Sequence, residues 1–124
     1  MTIRVMVVDD TEHVREMLGT MLELDGFEVV ARAASGPEAL EQVTAAAPNV
    51  VVMDYKMPGM DGLTATRRLR ELAPEVAVIV YTAYLDDTIE DAAREAGAAL
   101  CIGKVEGIEQ LEHRISEMCI ELMG

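Results

Sequence analysis

The run Ile3-Arg4-Val5-Met6-Val7-Val8-Asp9-Asp10 decides how this chain is read. Its apolar residues follow one another without the strict alternation of a half-solvated strand, which is the pattern of a strand buried on both faces. Strands of that kind belong to parallel sheets covered by helices, and this one stops abruptly at two carboxylates. Four further apolar runs recur at intervals of about two dozen residues, at 27–33, 50–53, 76–81 and 98–102, most of them rich in Val and Ile. Segments of helical period lie between them, clearest in Val14, Met17, Leu18, Met21 and Leu22 and in Leu111, Ile115, Met118, Cys119 and Leu122. The last of these predicts a fifth helix over 108–123.

The punctuation agrees. Ser35-Gly36-Pro37-Glu38 has the form of a capping box, with the Glu able to reach back to the cap, and Asp61 and Asp86 are further cap candidates. Gly26, Pro74 and Gly97 fall where the first, third and fourth helices should end. With no linker, repeat or low-complexity tract, residues 1–124 are expected to form one α/β domain. Its (βα)5 order closes most naturally as an open parallel five-stranded sheet with helices on both faces.

Composition narrows the function. Hydrophobic residues at 51% and charged residues at 27% describe an ordinary folded chain, and 23 acidic against 10 basic residues leave a net charge of −13. Such a field repels nucleic-acid phosphates and anionic lipid. No apolar run is long enough to span a bilayer and no secretory signal opens the chain, so a cytoplasmic location and a monomer at rest are expected. Cys101 and Cys119 lack metal-type spacing, and with no Trp and 3% aromatics there is little to stack on bases or a flavin.

Ligands of such sheets sit outside the carboxyl ends of the strands, where the strand order reverses. The first run ends in Asp9-Asp10, the third in Asp54, the fourth in Thr82, and the fifth leads two residues on to Lys104. If the order is 2-1-3-4-5, three carboxylates converge with a hydroxyl and an ammonium alongside. Oxygen-only ligands favour Mg²⁺, Mn²⁺ or Ca²⁺ over zinc, and a shallow cluster at a sheet edge suits Mg²⁺, which keeps several of its waters. A carboxylate beside such an ion, faced by Lys and Thr, is a reasonable phosphoryl acceptor. Taken singly, Asp9 and Asp10 also read as a helix cap and Asp54 as a turn residue. The only two lysines, Lys56 and Lys104, both fall in loops at this edge.

These residues resemble the response-regulator receiver domains of two-component signalling. The resemblance runs the whole chain, through Val7-Val8-Asp9-Asp10, Asp54-Tyr55-Lys56-Met57-Pro58-Gly59-Met60-Asp61-Gly62, Tyr81-Thr82-Ala83 and Gly97-Ala98 to Lys104. It implies the 2-1-3-4-5 order, phosphorylation of Asp54, and Mg²⁺ held by Asp10, Asp54 and the Lys56 carbonyl, with Asp9 acting through a water. It also implies that Thr82, the Ala83 N–H and Lys104 engage the phosphoryl group, that Pro58 and Gly62 shape the loop, and that Lys56 and Tyr84 modulate loss of phosphate. The donor would be a sensor histidine kinase or a histidine phosphotransfer protein. The output would be a downstream protein target or onward phosphorelay, with dimerisation on phosphorylation as one form of switching. Two positions depart from the family pattern: Cys101 stands where a switching aromatic is usual, and Val105 replaces the proline that commonly follows the lysine.

Two other readings compete with a receiver that carries no output domain. One is a pseudo-receiver that binds partners without phosphorylation. The other is the N-terminal receiver of a longer transcription regulator. Cys101 reads as a small buried hydrophobe rather than a redox sensor, His13 and His113 as solvated helix residues, and Met57 and Met60 as adaptable contacts near the site.

Overall fold

The computed structural model describes residues 2–123, with the side chains of all but 119 and 121–123. Strands and helices alternate as β1 (Arg4–Val8), α1 (Glu12–Leu24), β2 (Glu28–Ala33), α2 (Gly36–Ala46), β3 (Val50–Met53), α3 (Gly62–Leu72), β4 (Ala77–Thr82), α4 (Asp87–Ala96), β5 (Leu100–Gly103) and α5 (Ile108–Met123). A single 3₁₀ turn, Lys104–Glu106, joins β5 to α5. All four strand pairings are parallel, in the order β2-β1-β3-β4-β5. The first two strands pair through a bulge: Val5 faces Val29 while Met6 faces Ala31, so Val30 is the extra residue.

The unbroken apolar run of β1 has a direct structural cause, because successive side chains enter different cores. Val5 and Val7 pack with Leu18 and Leu22 of α1 and with Leu111 and Ile115 of α5. Met6 and Val8 pack on the opposite face with Ala39 and Val43 of α2 and with Ala65 and Leu69 of α3. A third, smaller cluster seats α4 through Ala93 and Ala96 against Val80 and Leu63. Each fully buried Val or Leu contributes roughly 1.5–3 kcal/mol, so the two main clusters account for most of the driving force.

Helix starts follow the sequence closely. Asp61 accepts from the Thr64 N–H and Asp86 from the Ile89 N–H, each at 2.8 Å. Ser35 Oγ accepts from the Glu38 N–H at 3.2 Å, but the Glu38 carboxylate accepts from Gln42 Nε2 instead of reaching back. The expected capping box is therefore half formed. Gly26 and Gly97 adopt left-handed φ values of 93° and 103° just beyond α1 and α4. After α3, Arg70 donates to the carbonyls of Pro74 and Val76 at 2.6 and 2.7 Å and ties the turn to β4.

The inward face of α1 is narrower than its periodicity predicts. Leu18 and Leu22 are buried, whereas Met17 is 55% and Met21 38% exposed. Only the residues aimed straight at the sheet are covered there. In α5, Leu111 and Ile115 are buried and Met118 packs against them; the side chains of Cys119 and Leu122, expected on the same face, lie outside the described residues. Met57 is 6% exposed in the core of the α2–α3 layer and also borders the cavity beside Lys56 and Tyr84, and Met60 packs partly against that layer. Among the described residues, no helix is long and apolar enough to cross a membrane.

Candidate functional site

Two backbone hydrogen bonds position the site. The Asp9 N–H donates to the Ala33 carbonyl at 3.1 Å and the Asp54 N–H to the Val8 carbonyl at 2.9 Å, extending the ladders one residue past β1 and β3. Asp9 and Asp54 thus leave neighbouring strands side by side, at the point where the strand order reverses. Asp9, Asp10 and Asp54 each offer a carboxylate oxygen within 4.8 Å of the others. Lys104 reaches in from the far side of the sheet, its Nζ 3.0 Å from Asp9 Oδ2 and 3.3 Å from Asp54 Oδ1. The other Asp9 oxygen accepts from the Thr11 N–H at 2.9 Å, and Arg15 donates to the Asp9 carbonyl at 2.9 Å. Asp9 therefore leads the chain into α1 and serves the cluster at once.

The remaining candidates surround this group. Thr82, the last residue of β4, is fully buried, and its Oγ1 accepts from the Tyr84 N–H at 3.0 Å. Its hydroxyl is thus held inside the β4–α4 turn, while Ala83 is exposed beside it. Lys56 Nζ stands 5.0 Å over the ring of Tyr84, so the two residues expected to flank the acceptor touch each other. Lys104 lies 5.9 Å over the ring of Tyr81, the buried aromatic that precedes Thr82 on β4. Gly62 is held against the acceptor loop: its N–H donates to the Tyr55 carbonyl at 2.7 Å. Cys101 is half-buried on β5, and burial, reinforced by Glu90, pushes its thiol up to about 11, away from the thiolate form at neutral pH. Val105 is 92% exposed in the turn after Lys104. His13 and His113 are exposed helix residues, His113 lying 3.3 Å from Glu117.

The chain matches the family described as the response regulator receiver domain over residues 5–116. This protein belongs to that family. Among its relatives, the response regulator GacA of Pseudomonas viridiflava is 40% identical over 114 residues, which is 91% of this chain and 53% of GacA. The chemotaxis protein CheY of Bacillus subtilis is 36% identical over 95 residues, covering 77% of this chain and 79% of CheY. The crystal structure of a CheY-like receiver domain protein from Methanospirillum hungatei superposes with a TM-score of 0.89 at 26% identity, over 98% of this chain and 96% of that one. This receiver spans about half the length of the GacA relatives that it matches.

Electrostatics of the receiver's cluster call for a cation. Burial, and next the charge of Asp9, raise the Asp54 carboxyl from 3.8 to about 6 despite the opposing pull of Lys104. Burial alone would lower the Lys104 ammonium, but its hydrogen bonds and ion pairs with Asp9 and Asp54 leave it above the usual lysine value. Three carboxylates against one ammonium, all hard oxygen donors with Asp10 exposed, fit a divalent metal ion.

The Asp54 shift makes the stability of the fold depend on pH. The folded state holds this proton more tightly than the unfolded chain, so the ionised carboxylate lowers stability. That penalty is absent below the unfolded value of 3.8, grows as pH rises through about 6 and is complete above it. Asp54→Asn, which carries no such charge, is expected to raise the unfolding free energy by about 2 kcal/mol at neutral pH in EDTA. Urea titrations of both proteins across this pH range should show the gain vanish on acidification.

Proposed function

We propose that this receiver accepts a phosphoryl group on Asp54 in a Mg²⁺-dependent reaction. The donor is the phosphohistidine of a sensor kinase or phosphotransfer protein, and the modified form acts through protein contact or onward transfer. The observation that carries the proposal is the convergence of Asp9, Asp10 and Asp54 with Lys104 at 3.0 and 3.3 Å from two of those carboxylates. An ion held by Asp10, Asp54 and the Lys56 carbonyl, with Asp9 acting through a water, would offset charge on the phosphoryl oxygens. An Asp54 oxygen attacks phosphorus in line as the phosphorus–nitrogen bond to the donor imidazole breaks, leaving an acyl phosphate and a free histidine. Lys104, already poised on Asp54, exchanges that contact for a phosphoryl oxygen. Thr82 gives up the Tyr84 N–H and turns its hydroxyl toward the phosphoryl group, where the Ala83 N–H adds a second donor.

With Cys101 in place of an aromatic, the threonine movement must reach the partner surface by packing through β4 and β5 rather than by rotation of a ring. The partner surface itself is a protein contact, since the net charge of −13 disfavours nucleic acid. Intact mass after incubation with acetyl phosphate is the test. A single phosphoryl adduct that forms with Mg²⁺ and not with EDTA is expected. No adduct under either condition would instead favour a pseudo-receiver that binds its partner constitutively.

A further inference from the structure

Arginine in this acidic chain is almost entirely engaged. Of the eight arginines, Arg32, Arg94 and Arg114 pair with carboxylates, and Arg4, Arg15 and Arg70 donate to backbone carbonyls. Arg67 and Arg68 have no hydrogen-bond or ion-pair partner among the described residues, although Glu71 lies three and four positions further along the same helix. Both are exposed, side by side on α3. They line a groove of about 600 Å³ together with Leu40 of α2 and with Thr64, Glu71 and Leu72 of α3, so the two arginines outnumber the single carboxylate there. Leu72 is 57% exposed and also borders a second cavity of about 400 Å³, floored by Val43, Ala73 and Val76, toward the amino ends of the strands. The two cavities share this leucine along the furrow between α2 and α3, and neither is lined by a residue of the carboxylate cluster.

An exposed leucine at the centre of a furrow, with an unpaired cationic pair on one wall, has the features of a helix-binding groove. We propose that the α2–α3 furrow docks an acidic amphipathic helix of a partner protein. The apolar stripe of that helix covers Leu40 and Leu72, and its carboxylates reach Arg67 and Arg68. Charge complementarity selects this occupant: Arg67 and Arg68 outnumber Glu71 in the groove, and among the described residues they are the two arginines without an internal partner in a chain of net charge −13. The overall negative charge does not prevent it, because at physiological salt the screening length is about 8 Å and the arginines act on whatever lies directly above them. Another copy of this chain is disfavoured, since its abundant acidic surface brings the same excess of charge to every other point of contact.

The test uses the whole protein and a synthetic peptide about 15 residues long, enough to populate a helix. The peptide carries Leu at positions i, i+3, i+4 and i+7 and Glu on its flanks, and a matched control carries Lys for Glu. Methyl NMR titration is expected to move the signals of Leu40 and Leu72 with the Glu peptide and not with the Lys peptide. In R67Q/R68Q, affinity should fall about tenfold, from the loss of two exposed charge contacts. Leu72→Ser should weaken it comparably, and both variants should still form the acetyl phosphate adduct. Equal binding by R67Q/R68Q, shifts confined to another surface, or self-association abolished by R67Q/R68Q would each overturn the proposal.

Discussion

Replacing Gly62 by alanine is expected to lower the unfolding free energy by about 3 kcal/mol or more, a large share of the 5–15 kcal/mol of a typical domain. A Cβ on Gly62 would lie 2.1 Å from the Asp54 carbonyl oxygen and 3.0 Å from both Asp54 C and Tyr55 Cα. All three are backbone atoms, so no rotamer change relieves the overlap; the loop after β3 would have to shift, carrying Asp54 with it. Helix propensity points the other way, because Gly62 opens α3 and alanine there should gain up to about 1 kcal/mol. The sign of the measured change therefore decides between the two effects. Gly59 supplies the control: its φ is 84° and nothing lies within 4 Å of its Cβ position. Gly59→Ala should cost only about 1 kcal/mol, from backbone strain. Urea denaturation with an unchanged slope against denaturant would make both values comparable.

Removing the Lys104 ammonium should move two observables in opposite directions. Lys104→Met keeps the length and apolar stem of the side chain and deletes only its charge. Phosphorylation by acetyl phosphate is expected to slow by about a hundredfold, the usual consequence of losing a preorganised donor to developing negative charge. Mg²⁺ affinity is expected to rise, because the ammonium at 3.0 Å from Asp9 and 3.3 Å from Asp54 competes with the metal for the same oxygens. Calorimetric Mg²⁺ titration and the rate of adduct formation read these separately. A variant weakened in both would mean that Lys104 only props the cluster in place.

The fold was legible because β1, β3 and β4 are buried on both faces, and that leaves apolar runs that no half-exposed strand would show. The cluster was legible for a related reason: each of these strands ends where its apolar run meets Asp9, Asp54 or Thr82, and a parallel sheet gathers those ends at one edge. What the sequence hid depends on distances across the fold. Met17 and Met21 share the helical period of Leu18 and Leu22, but only the latter pair faces the sheet. The Glu38 carboxylate had two reachable partners, the cap and Gln42, and only packing selects between them. Arg15 reaching the Asp9 carbonyl, and Thr66, fully buried and donating to the Gly62 carbonyl at 2.7 Å, leave no pattern in the residue string. Gly62 itself was visible as a loop-shaping glycine, but its contact with the Asp54 backbone appears only once the path of the β3–α3 loop is drawn.

The central claim is that Asp54 carries the phosphoryl group, and borohydride trapping tests it most directly. Borohydride reduces an acyl phosphate of aspartate to homoserine and leaves an ordinary carboxylate untouched. After treatment with acetyl phosphate and Mg²⁺, peptide mapping is expected to find homoserine at position 54 and at no other acidic position, with none when EDTA replaces Mg²⁺. Homoserine at Asp9, Asp10 or any other acidic residue, or a phosphoryl adduct that persists in Asp54→Asn, would contradict the account.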